Sequence, residues 1–217
     1  MAWSDFTAGL FTSGQILTAA QMNTYVRDNL LAGGPIYATE AARNAAITSP
    51  FEGQRAYITG STVAAATGTT TAVPTGVQTI YNGTAWVCVT EIGASSTTVG
   101  TTTSTSFVTT LTGDATAIST TLQTGTSALI YLNCASYSTT AGNTHTLTVS
   151  VSGATTIAAA DGNGVQSNPP SGFYTSLART FVLTGLTAGT NTFTLNYKVS
   201  AGTGGFNTRS LVVKSVA

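Results

Sequence analysis

A mainly β fold, with short helices confined to the amino-terminal part, is what this sequence predicts, and three observations predict it. Thr is the commonest residue, and its β-branched side chain favours strands. Two-residue alternation recurs late in the chain: Phe193, Leu195, Tyr197 and Val199 on one side, with Thr192, Thr194, Asn196 and Lys198 on the other. Leu147, Val149 and Val151 against Thr146, Thr148 and Ser150 repeat the design, which is that of half-buried antiparallel strands. Helix start and stop signals, by contrast, gather before residue 50. The expected architecture is short helices, a small β-hairpin module and a carboxy-terminal, jelly-roll-like antiparallel β-sandwich.

Residues 1–16 are apolar without periodicity, with Trp3, Phe6, Leu10 and Phe11 among Gly, Ser and Thr. Such a segment reads as an arm that orders against a partner. From Leu17 the helix instructions are complete. Thr18 and Gln21 form a capping box, Leu17 and Met22 flank it as a hydrophobic staple, and Gly33 and Pro35 stop the helix near Ala32. Met22, Val26 and Leu30 make one line at helical spacing, with Tyr25 beside it. An isolated helix of this length is marginal in water, so Met22, Tyr25, Val26 and Leu30 are the candidate trimerisation or attachment residues. Residues 1–35 are therefore expected to form an arm and an attachment helix.

Thr39 caps a second short helix over 40–46, and Ser49-Pro50 ends it. A strand is expected over Phe51 to Thr59, then a Gly, Ala and Thr loop through Gly76. Asn82-Gly83 between apolar runs signals a hairpin. So few strands are not stable alone, and residues 36–94 are expected to form a module intertwined with copies from other chains.

The Ser and Thr run over 95–105 reads as a linker. Beyond it, residues 106–217 should form the sandwich head. Strands are expected near Phe107 to Leu111, Ala117 to Leu122, Ala128 to Ser136, Leu177 to Thr184 and Arg209 to Val216, besides the alternating pair. Ala128 to Cys134, apolar on both faces, should be central. Thr140-Ala141-Gly142-Asn143 and Thr187-Ala188-Gly189-Thr190 punctuate equivalent hairpin starts.

Composition excludes several function classes. Net charge is zero and charged residues make up 6% of the chain, against roughly 25% in an average soluble domain. No basic surface is available for a phosphate backbone, so nucleic acid is not an expected partner. No run approaches the roughly 20 apolar residues of a spanning helix, so membrane insertion is not expected either. The amino terminus lacks a secretory signal, and cytoplasmic synthesis is expected. Cys88 and Cys134 lie in apolar strand contexts and read as reduced core thiols, with a disulfide between them as the alternative.

Catalytic constellations are scarce. Beyond Glu91 the only carboxylate side chains are Asp114 and Asp161, and His145 is the only histidine. A glycosidase pair or a serine triad would have to be built from these alone, so no enzyme activity is expected. Asp161-Gly162-Asn163-Gly164 starts like a calcium loop but lacks the later glutamate, and reads as a plain turn. No cofactor or metal is expected. The stretch from Asp161 to Ser176 is the longest connection in the head, and its Phe173 and Tyr174 could stack on a sugar or fold back over the sandwich end.

The stretch from Leu17 to Leu30, Leu17-Thr18-Ala19-Ala20-Gln21-Met22-Asn23-Thr24-Tyr25-Val26-Arg27-Asp28-Asn29-Leu30, resembles the amino-terminal segment of fibre, minor tail and capsid appendage proteins of tailed bacteriophages. Ala45 to Tyr57 followed by Tyr81-Asn82-Gly83-Thr84-Ala85-Trp86 is similar to a small β module of those proteins, and Gly189 to Tyr197 with Arg209 resembles their head domains. The resemblance implies a homotrimeric virion component, anchored to capsid or tail scaffold proteins by its amino terminus and presenting a β head to a host-surface glycan. A capsid decoration protein without receptor binding, or a stand-alone carbohydrate-binding module, is the alternative.

Overall fold

A computed structural model describes residues 18–19 and 34–216. The arm, the helix expected over 19–32 and its contact residues Met22, Tyr25, Val26 and Leu30 lie outside the described residues, Ala19 excepted. The chain is mainly β, in a jelly-roll-like sandwich preceded by a smaller sheet.

The front part comprises β1 (Ile36–Tyr37), α1 (Glu40–Ala46), β2 (Arg55–Ile58), β3 (Ala65–Thr67), β4 (Thr70–Ala72), β5 (Val77–Tyr81) and β6 (Trp86–Cys88). Thr39 caps α1 as its sequence predicts, its side chain accepting from the Ala42 amide at 3.2 Å. β1, β2, β5 and β6 form one four-stranded sheet, with β1 and β2 parallel. The β5–β6 turn spans Asn82 to Ala85. The Asn82 side chain accepts from the amides of Thr84 and Ala85, and Gly83 supplies φ 88°.

Arg43 seats α1 on this sheet. Its guanidinium is fully buried, 4.4 Å over the Trp86 ring, and donates to Thr79 Oγ1 at 3.1 Å. Burial lowers its pKa to about 10, against the Coulombic support of Glu40. Glu40 is itself buried and accepts from the hydroxyls of Ser61 and Thr62 and the Thr62 amide. Burial alone would raise its pKa; these hydrogen bonds hold it below the usual value.

The sandwich adds β7 (Ile92–Ser96), β8 (Gly100–Thr102), β9 (Ser119–Thr124), β10 (Ser127–Ser138), β11 (His145–Gly153), β12 (Val165–Ser167), β13 (Tyr174–Thr184), β14 (Gly189–Val199) and β15 (Gly204–Ser215). One sheet runs β13-β10-β15-β7-β4 with β8 also on β15; the other runs β12-β11-β14-β9-β3. Apolar faces of both meet in a core that includes Ile130, Leu132, Leu147, Phe193, Leu195, Phe206 and Leu211. β10 lies between β13 and β15, as its two-sided apolar character requires.

Several expectations are corrected. The 95–105 run is no linker: Ser96 ends β7, Gly100–Thr102 forms β8, and both strands pair with β15. Hydroxyl side chains suit a strand whose partners accept their hydrogen bonds, and buried Ser96 donates to Asp114 at 2.5 Å. The supposed loop before Gly76 contains β3 and β4, one in each sandwich sheet. The front sheet packs on its own chain's sandwich in one continuous core. Finally, Phe107 to Leu111 makes only isolated bridges, Val108 to Tyr197 and Leu111 to Asp114. The two Thr-Ala-Gly signals also prove to be crossovers between sheets, from β10 to β11 and from β13 to β14.

A bulge in β15 aims a charge into the core. Opposite Cys134 the register slips between Asn133 and Ala135, and Thr208 takes φ 45°. The extra residue turns Arg209 inward, fully buried. Arg209 pairs with Asp114 and donates to the Thr98 carbonyl at 3.1 Å. Asp114 also accepts from Ser96 and from the Thr116 amide. Burial pushes the Asp114 pKa up, but these hydrogen bonds and the Arg209 charge outweigh it and hold the pKa below the usual value.

Asp114→Ala leaves a guanidinium unpaired in the core and should cost about 3–5 kcal/mol, read from the shift in denaturant midpoint. Replacing both partners, Arg209→Met with Asp114→Leu, should recover most of that loss. A single variant as stable as the parent would refute this assignment.

Candidate functional site

The two outer faces of the sandwich differ in chemistry. On the six-stranded sheet, outward residues follow the register: Leu129 sits between Val182 and Lys214, Tyr131 between Thr180 and Val212, and Tyr137 between Tyr174 and Gly205. Val182 is 51% and Tyr174 58% exposed. The Tyr137 and Tyr174 rings pack at 5.1 Å with a 59° tilt. A Cβ on Gly205 would stand 1.9 Å from the Tyr137 ring, so glycine there lets the ring lie flat on the sheet. Along these three long strands Lys214 is the one outward charge.

Phe173 and Tyr174, the aromatics expected to touch a surface ligand, lie at the start of β13. Phe173 is 68% exposed. Tyr174 leans on Tyr137 rather than closing over the sandwich end.

The outer face of the five-stranded sheet is hydroxylated. Thr146 pairs with Lys198, Thr148 with Asn196, Ser150 with Thr194 and Thr192 with Thr121. At one end lies an open groove of about 380 Å³, lined by Thr105, Thr144, Thr146, Asp161, Gln166, Lys198, Val199 and Ser200. Lys198 Nζ stands 2.8 Å from Asp161 Oδ2 and 4.6 Å from the centre of the Phe107 ring. Asp161 opens a single 3-10 turn, Asp161–Asn163. Arg179, on the opposite sheet, donates to the carbonyls of Gly162 and Gly164 and fixes that turn. Thr148 Oγ1 donates to the Ala160 carbonyl at 2.8 Å, and the Thr144 amide to Ser200 Oγ at 2.8 Å, bracing two further walls.

No single stretch of the chain signals this groove. Its residues come from four separate stretches that the crossovers bring together, with Thr146, Lys198 and Val199 legible as strand positions and Asp161 as part of a turn.

The remaining chemically active groups are structural in their contacts. Asp114 is held by Arg209 inside the core, while Asp161 faces out with Lys198. Among the described residues, no three His, Cys, Asp or Glu side chains gather as a metal site, and no helix is long and apolar enough to cross a membrane. Cys88 and Cys134 are unpaired and buried, and burial pushes their thiols up to about 11 and about 12. Such thiols are protonated and unreactive at neutral pH. His145 is fully buried between Ser136, 2.8 Å from Nδ1, and the Phe206 ring, and its Nε2 has no hydrogen-bond partner.

No family model matches the chain, and no curated protein matches it. It is similar in structure to a protein of infectious bursal disease virus, Gx strain, at 11% identity and TM-score 0.45, over 64% of this chain and 42% of that one. Eiger TNF from S. frugiperda matches at 10% identity and TM-score 0.39, over 56% of this chain and 87% of that one. TmCBM61, solved with beta-1,4-galactotriose, matches at 11% identity and TM-score 0.28, over 58% and 69%. This chain thus spans less than half the length of the viral protein. Likenesses of this size assign no activity to it.

Burial lowers the pKa of His145 below its ordinary 6.5, so the unfolded chain binds the proton more readily than the folded one. Stability is therefore full above about pH 6.5 and falls as the pH drops through the folded value. Asp114 and Glu40, also lowered, start from ordinary values of 3.8 and 4.5 and lose their contributions at lower pH. Denaturant unfolding between pH 7 and 5 should show a slope of up to about 1.4 kcal/mol per pH unit, flattened in His145→Gln. An unchanged slope in that variant would rule His145 out as its source.

Proposed function

We propose that this protein is a non-enzymatic structural component of a tailed-phage virion. In this reading it is a homotrimer, anchored through residues 1–35 to a capsid or tail scaffold, with the sandwich displayed toward a host surface. The observation that carries the proposal is the outer face of the six-stranded sheet, with Leu129, Tyr131, Val182 and Val212 in adjoining register positions and a single lysine. Val182 is 51% exposed with half-buried Leu129, Tyr131 and Val212 beside it, and apolar groups gathered on an outer face favour an interface.

Its dimensions support a partner of the same size. β10 and β15 have 12 residues each; at about 3.3 Å per residue, three strands about 4.8 Å apart make a face of about 40 by 14 Å. Side-chain relief raises that toward the ~800 Å² per partner of a stable interface. A closed three-fold ring needs two different surfaces on each copy. The second is the edge of β13, which among the described residues pairs only with β10 and has exposed Phe173 at its start. A chain with zero net charge and 6% charged residues also gains solubility by covering such a face.

Light scattering on the full chain should give three times the monomer mass at micromolar concentration; a monodisperse monomer would overturn the trimer. Val182→Glu should dissociate the assembly by at least ten-fold in Kd while leaving the monomer's own stability within about 0.5 kcal/mol, as surface substitutions do. Immunogold labelling of purified particles checks the virion assignment, and unlabelled particles would refute it.

A further inference from the structure

We infer that the groove between Asp161, Gln166 and Lys198 is a binding site for a neutral oligosaccharide. The inference rests on the display reading above and names the part of the sandwich that makes the contact.

The groove's chemistry selects the ligand. The Lys198 ammonium is neutralised by Asp161 at 2.8 Å, and no other charged residue lines the walls. An anion therefore finds no net attraction there. One carboxylate without a second acidic neighbour does not hold a divalent cation. The apolar lining is Val199 alone, which is too little for an apolar ligand, since such sites are walled mostly by hydrophobic and aromatic side chains.

What the groove offers is unused hydrogen-bonding capacity. Asp161 keeps Oδ1 free as an acceptor while Oδ2 engages Lys198, and the Gln166 amide has no internal partner among the described residues. Thr105, Thr144 and Thr146 add hydroxyls that donate and accept. Sugar hydroxyls are the ligand groups that match a mixed set of donors and acceptors with no net charge.

The walls are also preorganised. Asp161 is held through Arg179 and its bonds to Gly162 and Gly164, and Thr144 through Ser200. Little order has to be gained on binding, so weak individual hydrogen bonds still add up.

The test applies the full-length chain to an array of neutral, amino-bearing and uronate-bearing oligosaccharides, followed by calorimetric titration of the bound members. Neutral members should bind, and Asp161→Ala and Gln166→Ala should each weaken them at least ten-fold with an unchanged melting temperature. Amide NMR shifts on titration should map to residues 144–146, 161–166 and 198–200. No binding anywhere on the array, binding confined to uronate-bearing members, or binding that follows Tyr174→Ala and ignores Asp161→Ala would each overturn the inference. The oligomer mass, read on the same variants, tests the trimer separately.

Discussion

The architecture depends on one buried ion pair. Arg209 can lie in the core only because Thr208 accepts a left-handed conformation and the bulge reverses the facing of the strand. Once there, it must be neutralised, and Asp114, Ser96 and the Thr98 carbonyl converge on it from the chain between β7 and β9. A buried pair of this kind adds little net stability over a hydrophobic substitute. What it adds is specificity: few registers of β15 against β7 and β10 put a guanidinium beside that carboxylate.

Much of this fold was legible in the sequence, and the failures have physical reasons. Alternation located β11 and β14 because each sets apolar residues on its core face and mainly hydroxyl or amide residues on the other. The apolar run located β10, which lies between β13 and β15 with one face in the core and Leu129 and Tyr131 half-exposed on the other. β15 begins earlier than alternation predicts, since Gly204-Gly205 carries no hydrophobic signal and the bulge at Thr208 breaks the period. β3 and β4 were invisible because Ala, Thr and Gly give no apolar contrast, and β8 was hidden in a Thr run for the same reason. No local pattern marks Arg43 as buried; an arginine beside the apolar residues of a strand is the one signal available for Arg209.

The candidate sites divide in the same way. Phe173 and Tyr174 stood out as aromatics in a long polar connection, and both are exposed. The groove was illegible because no stretch of chain contains it; topology alone sets Lys198 against Asp161. The face around Leu129 and Tyr131 was hidden by its virtue as a strand, because a two-sided apolar run reads as core whether one side is covered by the same molecule or by another.

The single connection between β2 and β5 contributes β3 to one layer of the sandwich and β4 to the other. Tension applied through β1 therefore spreads into two hydrogen-bonded ladders at once, instead of peeling the leading sheet away. The joint behaves as a dowel set across two boards, and a tug on the amino-terminal end is answered by the whole sandwich.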